Sequence, residues 1–131
     1  MLQMEFLAIT PVLRVAHLDT ALRFYREVLG FSLIWKAAEE GAETAMLEAG
    51  RTSLMLSTGS HLGENPAFTG TLYFEVKGVR GIWEQLKNKV EVEVVWPLGV
   101  TDHETIEFGI RDADGYMLAF AEQHSAEAAR T

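Results

Sequence analysis

The 131 residues are 48% apolar and 10% aromatic, enough for a real core, and they include no cysteine, which excludes a disulfide framework, a thiolate metal site and a cysteine nucleophile. Nineteen acidic against eleven basic side chains leave a net charge of −8, a surface that repels phosphate backbones and attracts cationic small molecules. No run approaches the roughly 18 apolar residues of a membrane span, and "MLQMEFLAITP" lacks the charged start and cleavage pattern of a signal peptide. A cytoplasmic protein that binds neither nucleic acid nor membrane is expected.

In chain order, "AITPVLRV" alternates as a short strand. In "HLDTALRFYREVLGF" the period changes, with Leu18, Leu22, Tyr25 and Leu29 on one helical face, joined by Ala21, Phe24 and Val28. Gly30 stands where a left-handed cap ends such a helix, and His17 or Asp19 where a cap starts it. "FSLIW" reads as a strand, "KAAEEGAE" as a loop, and "TAMLEAG" and "TSLMLST" as strands of a hairpin turning at Glu48–Arg51. "GSHLGENPAFTG" has the composition of a linker. The pattern then restarts with the strand "TLYFEV". A helix, "GVRGIWEQLKNKV", carries Val79, Ile82, Trp83, Leu86 and Val90 on its apolar face. "EVEVVW", "TIEFGIR" and "YMLAFAE" are the last strands, and "HSAEAART" is a polar tail with nothing to pack, expected to fray.

The halves align at an offset of 61, which puts Thr10 on Thr71, Val15 on Val76, Leu22 on Trp83, Trp35 on Trp96, and Ala45 and Leu47 on Ile106 and Phe108. The offset then grows to 64, assigned to the longer turn "RDADG", so that Leu54, Met55 and Leu56 meet Leu118, Ala119 and Phe120. Element order and the tryptophan pair are both preserved, which marks an internal duplication. The chain therefore reads as α+β: a single domain, 1–131, of two tandem βαβββ modules, 5–58 and 71–123, with a linker at 59–70 and a flexible tail at 124–131. A helix covers one face of each sheet, and the curled mixed sheet encloses a trough with the other. Leu13, Val15, Leu72, Phe74, Val76, Leu118 and Phe120 are assigned to the core. Thr10, Val12, Arg14, Ser53, Met55, Ser57, Thr71, Tyr73, Glu75, Glu107, Gly109, Met117 and Ala119 are assigned to the trough, with Trp35 and Trp96 pointing alike by symmetry.

"ITPVLRVAHLDTALRFYREVLGF", "TLYFEVKGV" and "EFGIRDADGYMLAFAE" together resemble the vicinal oxygen chelate superfamily, over about residues 7 to 123. That superfamily contains glyoxalase I, extradiol dioxygenases, and fosfomycin- and bleomycin-resistance proteins. "TPVLRV", "VRGIW" and "EFGIRDADGYMLAFAEQ" are more similar to its metal-free bleomycin-resistance branch. The resemblance implies a divalent metal in catalytic members, held at positions that here are Thr10, Met55, Thr71 and Ala119. Hydroxyls, a thioether and a methyl group are not the donor set such an ion needs, so no metal and no cofactor are expected.

His17, His61, His103 and His124 show no ligand spacing and read as surface or capping residues. Arg14, Glu75 and Glu107 form a candidate polar cluster, either a paired structural network or a recognition site in which one carboxylate binds a cation or acts as a base. Ser53 and Ser57 lack a His and Asp pattern for nucleophilic catalysis. Trp35, Trp96, Tyr73, Met55 and Met117 suit a wall for planar or cationic ligands. The site residues expected for a small-molecule ligand are therefore Trp35, Tyr73, Glu75, Trp96, Glu107, Met55, Met117, Arg14, Thr10, Thr71 and Ala119. The leading reading is a metal-free protein that sequesters an aromatic or cationic, antibiotic-like compound. A lyase, isomerase or dioxygenase with a displaced metal, and a non-catalytic dimeric or regulatory module, are the alternatives. Open sheet edges and apolar walls favour a homodimer, with "MLQMEFLA" a candidate for exchange between chains.

Overall fold

A computed structural model of the chain describes residues 4–68, 70–102 and 104–123. The readings made for His103, His124 and the tail 124–131 lie outside the described residues. The chain divides between Ala67 and Phe68 into two compact units, each with one four-stranded mixed sheet and a helix after its first strand; the first unit also has a short 3-10 turn at Ser60–Leu62.

In the first unit, β1 (Val12–Arg14) leads into α1 (Leu18–Arg23), followed by β2 (Ser32–Glu39), β3 (Ala42–Ala49) and β4 (Thr52–Ser57). The sheet order is β1-β4-β3-β2, with β1 parallel to β4 and the other pairs antiparallel. The expected helix forms but changes pitch. At Phe24–Val28 it loosens into a π-helical turn, closed by Leu29 N–H donating to the Phe24 carbonyl at 3.3 Å. The wider turn takes Val28 and Leu29 out of the tightly buried stripe. Gly30 ends the segment at φ +79°, while His17 occupies the start without a side-chain cap.

Alternation on β1, β3 and β4 sends Leu13, Ala45, Leu47, Leu54 and Leu56 toward α1, where Leu18, Ala21, Leu22 and Tyr25 complete a buried core. Tyr25 meets Phe24 and Phe31 edge to face at 5.6 and 5.5 Å, a preferred aromatic geometry. The stretch "KAAEEGAE", expected as a loop, is instead mostly strand. β2 and β3 continue through it to a two-residue turn at Glu40 and Gly41, both with positive φ, the twist-matched connection for a hairpin.

In the second unit, β5 (Thr71–Glu75) leads into α2 (Val79–Leu86), then β6 (Glu93–Val100), β7 (Thr105–Arg111) and β8 (Met117–Gln123), in the order β5-β8-β7-β6. The two sheets repeat one topology, as the duplication required. Phe74, Phe120 and Phe108 lie side by side across β5, β8 and β7, stacked at 5.2 and 5.3 Å, and Trp83 of α2 packs on Phe108 at 5.2 Å. The start of α2 is capped from a distant strand: Glu122 of β8 accepts from the N–H groups of Gly78 and Val79, both at 3.1 Å.

Four expectations need correction here. α2 stops at Leu86, so Val90 is off the helix and 97% exposed. Leu72, Phe74 and Val76 are half-buried rather than fully buried, unlike Leu13 and Val15 on and just after the equivalent edge strand β1. Ala45 corresponds to Phe108 and Leu47 to Ile110, not to Ile106 and Phe108. The reason is in the β6–β7 connection: Trp35 pairs with Met46, eleven residues on, whereas Trp96 pairs with Gly109, thirteen on. Most of the growth in offset therefore arises before "RDADG", which adds one residue.

Candidate functional site

The face of each sheet opposite its helix is where the expected site residues collect. In the second unit the register aligns Tyr73, Ala119, Gly109 and Trp96 in one cross-strand row, with an aromatic ring at each end and two small residues between. Trp96 reaches this face through an irregularity. Val94 pairs with Ile110 and Trp96 with Gly109, so Val95 is bulged out and the following side chain changes face. The indole then lies across Gly109: a Cβ there would come within 2.5 Å of its ring carbons. Only glycine permits that approach.

The adjoining row is Glu75, Ala121, Glu107 and Gly99, and here the polar chemistry gathers. Glu107 is only 8% exposed. Its Oε1 accepts from the Tyr73 hydroxyl at 2.8 Å and from the Thr105 hydroxyl at 2.9 Å, and Thr105 in turn meets Thr101 at 2.6 Å. These bonds make a buried carboxylate tolerable. Partial burial of the phenol, followed by its hydrogen bond to the Glu107 carboxylate, raises the Tyr73 pKa above its ordinary 10.0. Tyr73 is thus a neutral donor at physiological pH, on a residue that is 53% exposed. Glu75 is exposed. On the other side, Thr71, Met117, Arg111 and Glu93 form a third row, closed by an Arg111–Glu93 ion pair at 3.2 Å.

The equivalent row of the first unit is Val12, Met55, Met46 and Trp35. A bulge at Ile34, between the Leu33 and Trp35 pairings, again moves the tryptophan to the open face, where it is 44% exposed. Beside it lie Arg14, Ser57, Thr44 and Ala37. Trp35, Thr44, Ser57 and His61, with Glu39 and Glu40, line a groove of about 530 Å³. His61, read from sequence as a surface residue, folds over Gly59, where a Cβ would come within 2.6 Å of the imidazole.

Several residues assigned to an accessible wall are covered. Ser57 is buried, accepting from Thr44 Oγ1 at 3.2 Å and from Gly59 N–H at 3.0 Å, and Ala119 and Gly109 are buried within their row. Arg14 donates to the carbonyls of Val15, Gly63 and Glu64, tying β1 to the segment after β4. Thr10 is joined to Ser53 through their hydroxyls at 2.8 Å.

The superfamily's divalent metal does not fit these residues. Of the four positions at issue, Met55 presents a thioether, Ala119 a buried methyl group, and Thr10 a hydroxyl already engaged with Ser53; only Thr71 offers an exposed oxygen. Among the described residues, no three His, Asp or Glu side chains converge elsewhere as a candidate metal centre, and no helix is long and apolar enough to cross a membrane.

A family model described as the Glyoxalase/Bleomycin resistance protein/Dioxygenase superfamily matches residues 7–120. No protein of curated function matches the chain. Among solved structures, TnmS3, an antibiotic binding protein from Streptomyces sp. CB03234, is similar with a TM-score of 0.73 and 18% identity, over 92% of this chain and 99% of that one. A glyoxalase-related enzyme from Fulvimarina pelagi is similar with a TM-score of 0.69 and 20% identity, over 93% and 89%. A variant of glyoxalase I from Zea mays has a TM-score of 0.72 and 21% identity over 88% of this chain, which spans 46% of that protein. At these identities the likeness is one of fold.

Proposed function

The chain belongs to the Glyoxalase/Bleomycin resistance protein/Dioxygenase superfamily, and from that premise we propose that it is a metal-free binding protein that holds an aromatic or cationic, antibiotic-like compound on the open faces of its sheets. The observation that carries this reading is the row Tyr73–Ala119–Gly109–Trp96, set against the buried Glu107 carboxylate. Aromatic rings over a floor of small residues accept a planar group, and a desolvated carboxylate beside them favours a positive charge. On the open face of the first unit, Trp35 stands beside a groove with polar neighbours, an aromatic surface of the same kind. Capture of this kind requires complementary burial and no reacting group, which agrees with the inert side chains at the superfamily's metal positions. The fold shared with an antibiotic binding protein supports the same choice. The reading includes a homodimer: Phe6, Leu7 and Ile9 are more than four-fifths exposed, an apolar segment that a second copy would cover.

The test is a titration of tryptophan fluorescence with a basic glycopeptide antibiotic of the bleomycin type, on protein purified without chelator and assayed for metal. Saturable quenching with far less than one equivalent of divalent ion is expected. Trp35→Ala should weaken binding more than it lowers the melting temperature. Stoichiometric metal, or equal melting loss with unchanged binding, would overturn the reading.

A further inference from the structure

We propose a second ligand site, independent of the one above, in the groove between α1 with its π-helical continuation and β2: a site for a small amphipathic carboxylate. The groove measures about 680 Å³, within the range of about 300–1,000 Å³ common to small-molecule sites. Leu33 faces the helix side of the sheet, so this groove lies on the opposite side from Trp35. Its floor is apolar, made by the buried Leu22 and Phe31 and the half-buried Leu33.

The charges around that floor are unlike those of the chain as a whole. Arg23 and Arg26 line the groove three residues apart, spanning the point where the helix widens. Both are exposed, and among the described residues neither has an ion-pair or hydrogen-bond partner. Of the remaining lining charges, Lys36 and Asp19 engage each other at 3.5 Å. That leaves two uncommitted guanidinium groups against the single carboxylate of Glu27, in a protein of net charge −8. Guanidinium forks match a carboxylate in two-point geometry. An apolar body on Leu22, Phe31 and Leu33, with its carboxylate at Arg23 and Arg26, satisfies both halves of the groove.

The experiment follows naphthoate by NMR in the isotope-labelled full chain, with naphthylmethanol and naphthylmethylammonium as neutral and cationic comparators. Naphthoate should shift the amides of residues 22–33 saturably, and the two comparators should bind at least several-fold more weakly. The double variant R23Q/R26Q should lose about tenfold or more in affinity, the loss of two charge-assisted bonds. Glu27→Gln should tighten binding, a gain that a folding defect would not produce. Arg80→Gln on α2 should change nothing. Equal binding of the alcohol, unchanged affinity in R23Q/R26Q, weaker binding in Glu27→Gln, or no saturable shift in this segment would each overturn the proposal. None of these outcomes depends on Trp35, Trp96 or Glu107, so failure here leaves the antibiotic-capture reading standing, and the reverse.

Discussion

The missing side chain of Gly109 decides where Trp96 lies. The indole packs over the Gly109 Cα, and one methyl group there would displace it. Gly109→Ala should cost about 1–3 kcal/mol of stability, the usual penalty of overpacking, and should move tryptophan emission toward that of a hydrated indole. Denaturant unfolding and fluorescence measure the two effects; an unchanged spectrum would mean that Trp96 rests elsewhere. Glu107 and Tyr73 make a second case. Burial and the bond to Glu107 hold the phenol above its ordinary pKa of 10.0, so the folded state favours the protonated form. The stabilising contribution is complete below pH 10 and is lost as pH rises through the raised value. In Glu107→Gln the anionic acceptor is gone, and the Tyr73 pKa should fall back toward 10.0, as read from its ring-carbon NMR shift. Sequence alone marked Tyr73, Glu107, Gly109 and Trp96 individually. It had no signal for Thr101, which meets Thr105 only across the β6–β7 turn, while Thr105 reaches Glu107 from two residues earlier on β7.

Among the elements, the two helical segments differ most from ideal geometry, and each difference has a local cause. α1 ends in a π turn, and α2 is short and receives its cap from Glu122 on β8 rather than from a residue of its own. Glu122 also brings negative charge to a helix start, where it is favourable. Glu122→Ala should lower stability by about 1 kcal/mol, and Glu122→Gln, which keeps an acceptor, by less; chemical denaturation of the two variants distinguishes the bond from the charge. The strands were legible in type because their apolar residues alternate, and β7 matches its expected span throughout. The "KAAEEGAE" stretch was not, because charged and small residues on an exposed edge carry no period. Its two-residue turn is specified by Glu40 and Gly41 alone.

For the whole molecule, composition and duplication were the strongest signals. An acidic chain with two copies of one topology states what the fold repeats, and the second copy diverges where loops lengthen. If Phe6, Leu7 and Ile9 are covered by a second copy, replacing all three with serine should convert a dimer to a monomer in sedimentation velocity while each unit stays folded. A monomer in the parent protein would refute the homodimer. Net charge acts at this scale as well: attraction of a cationic ligand should weaken with added salt, since exposed charges are screened beyond about 10 Å at 0.1 M ionic strength.

Hydrophobic periodicity, by itself, determined the βαβββ repeat and most of the helix-facing core, because both depend on residue type at fixed spacing along the chain. The tertiary structure alone decided the direction of the tryptophans. Strict alternation places Trp35 in phase with Leu33, and Trp96 with Val94, on the helix side. One bulged residue in each edge strand, Ile34 and Val95, turns both rings to the opposite face. A bulge is a property of the pairing between two strands, and neither strand's own sequence contains it.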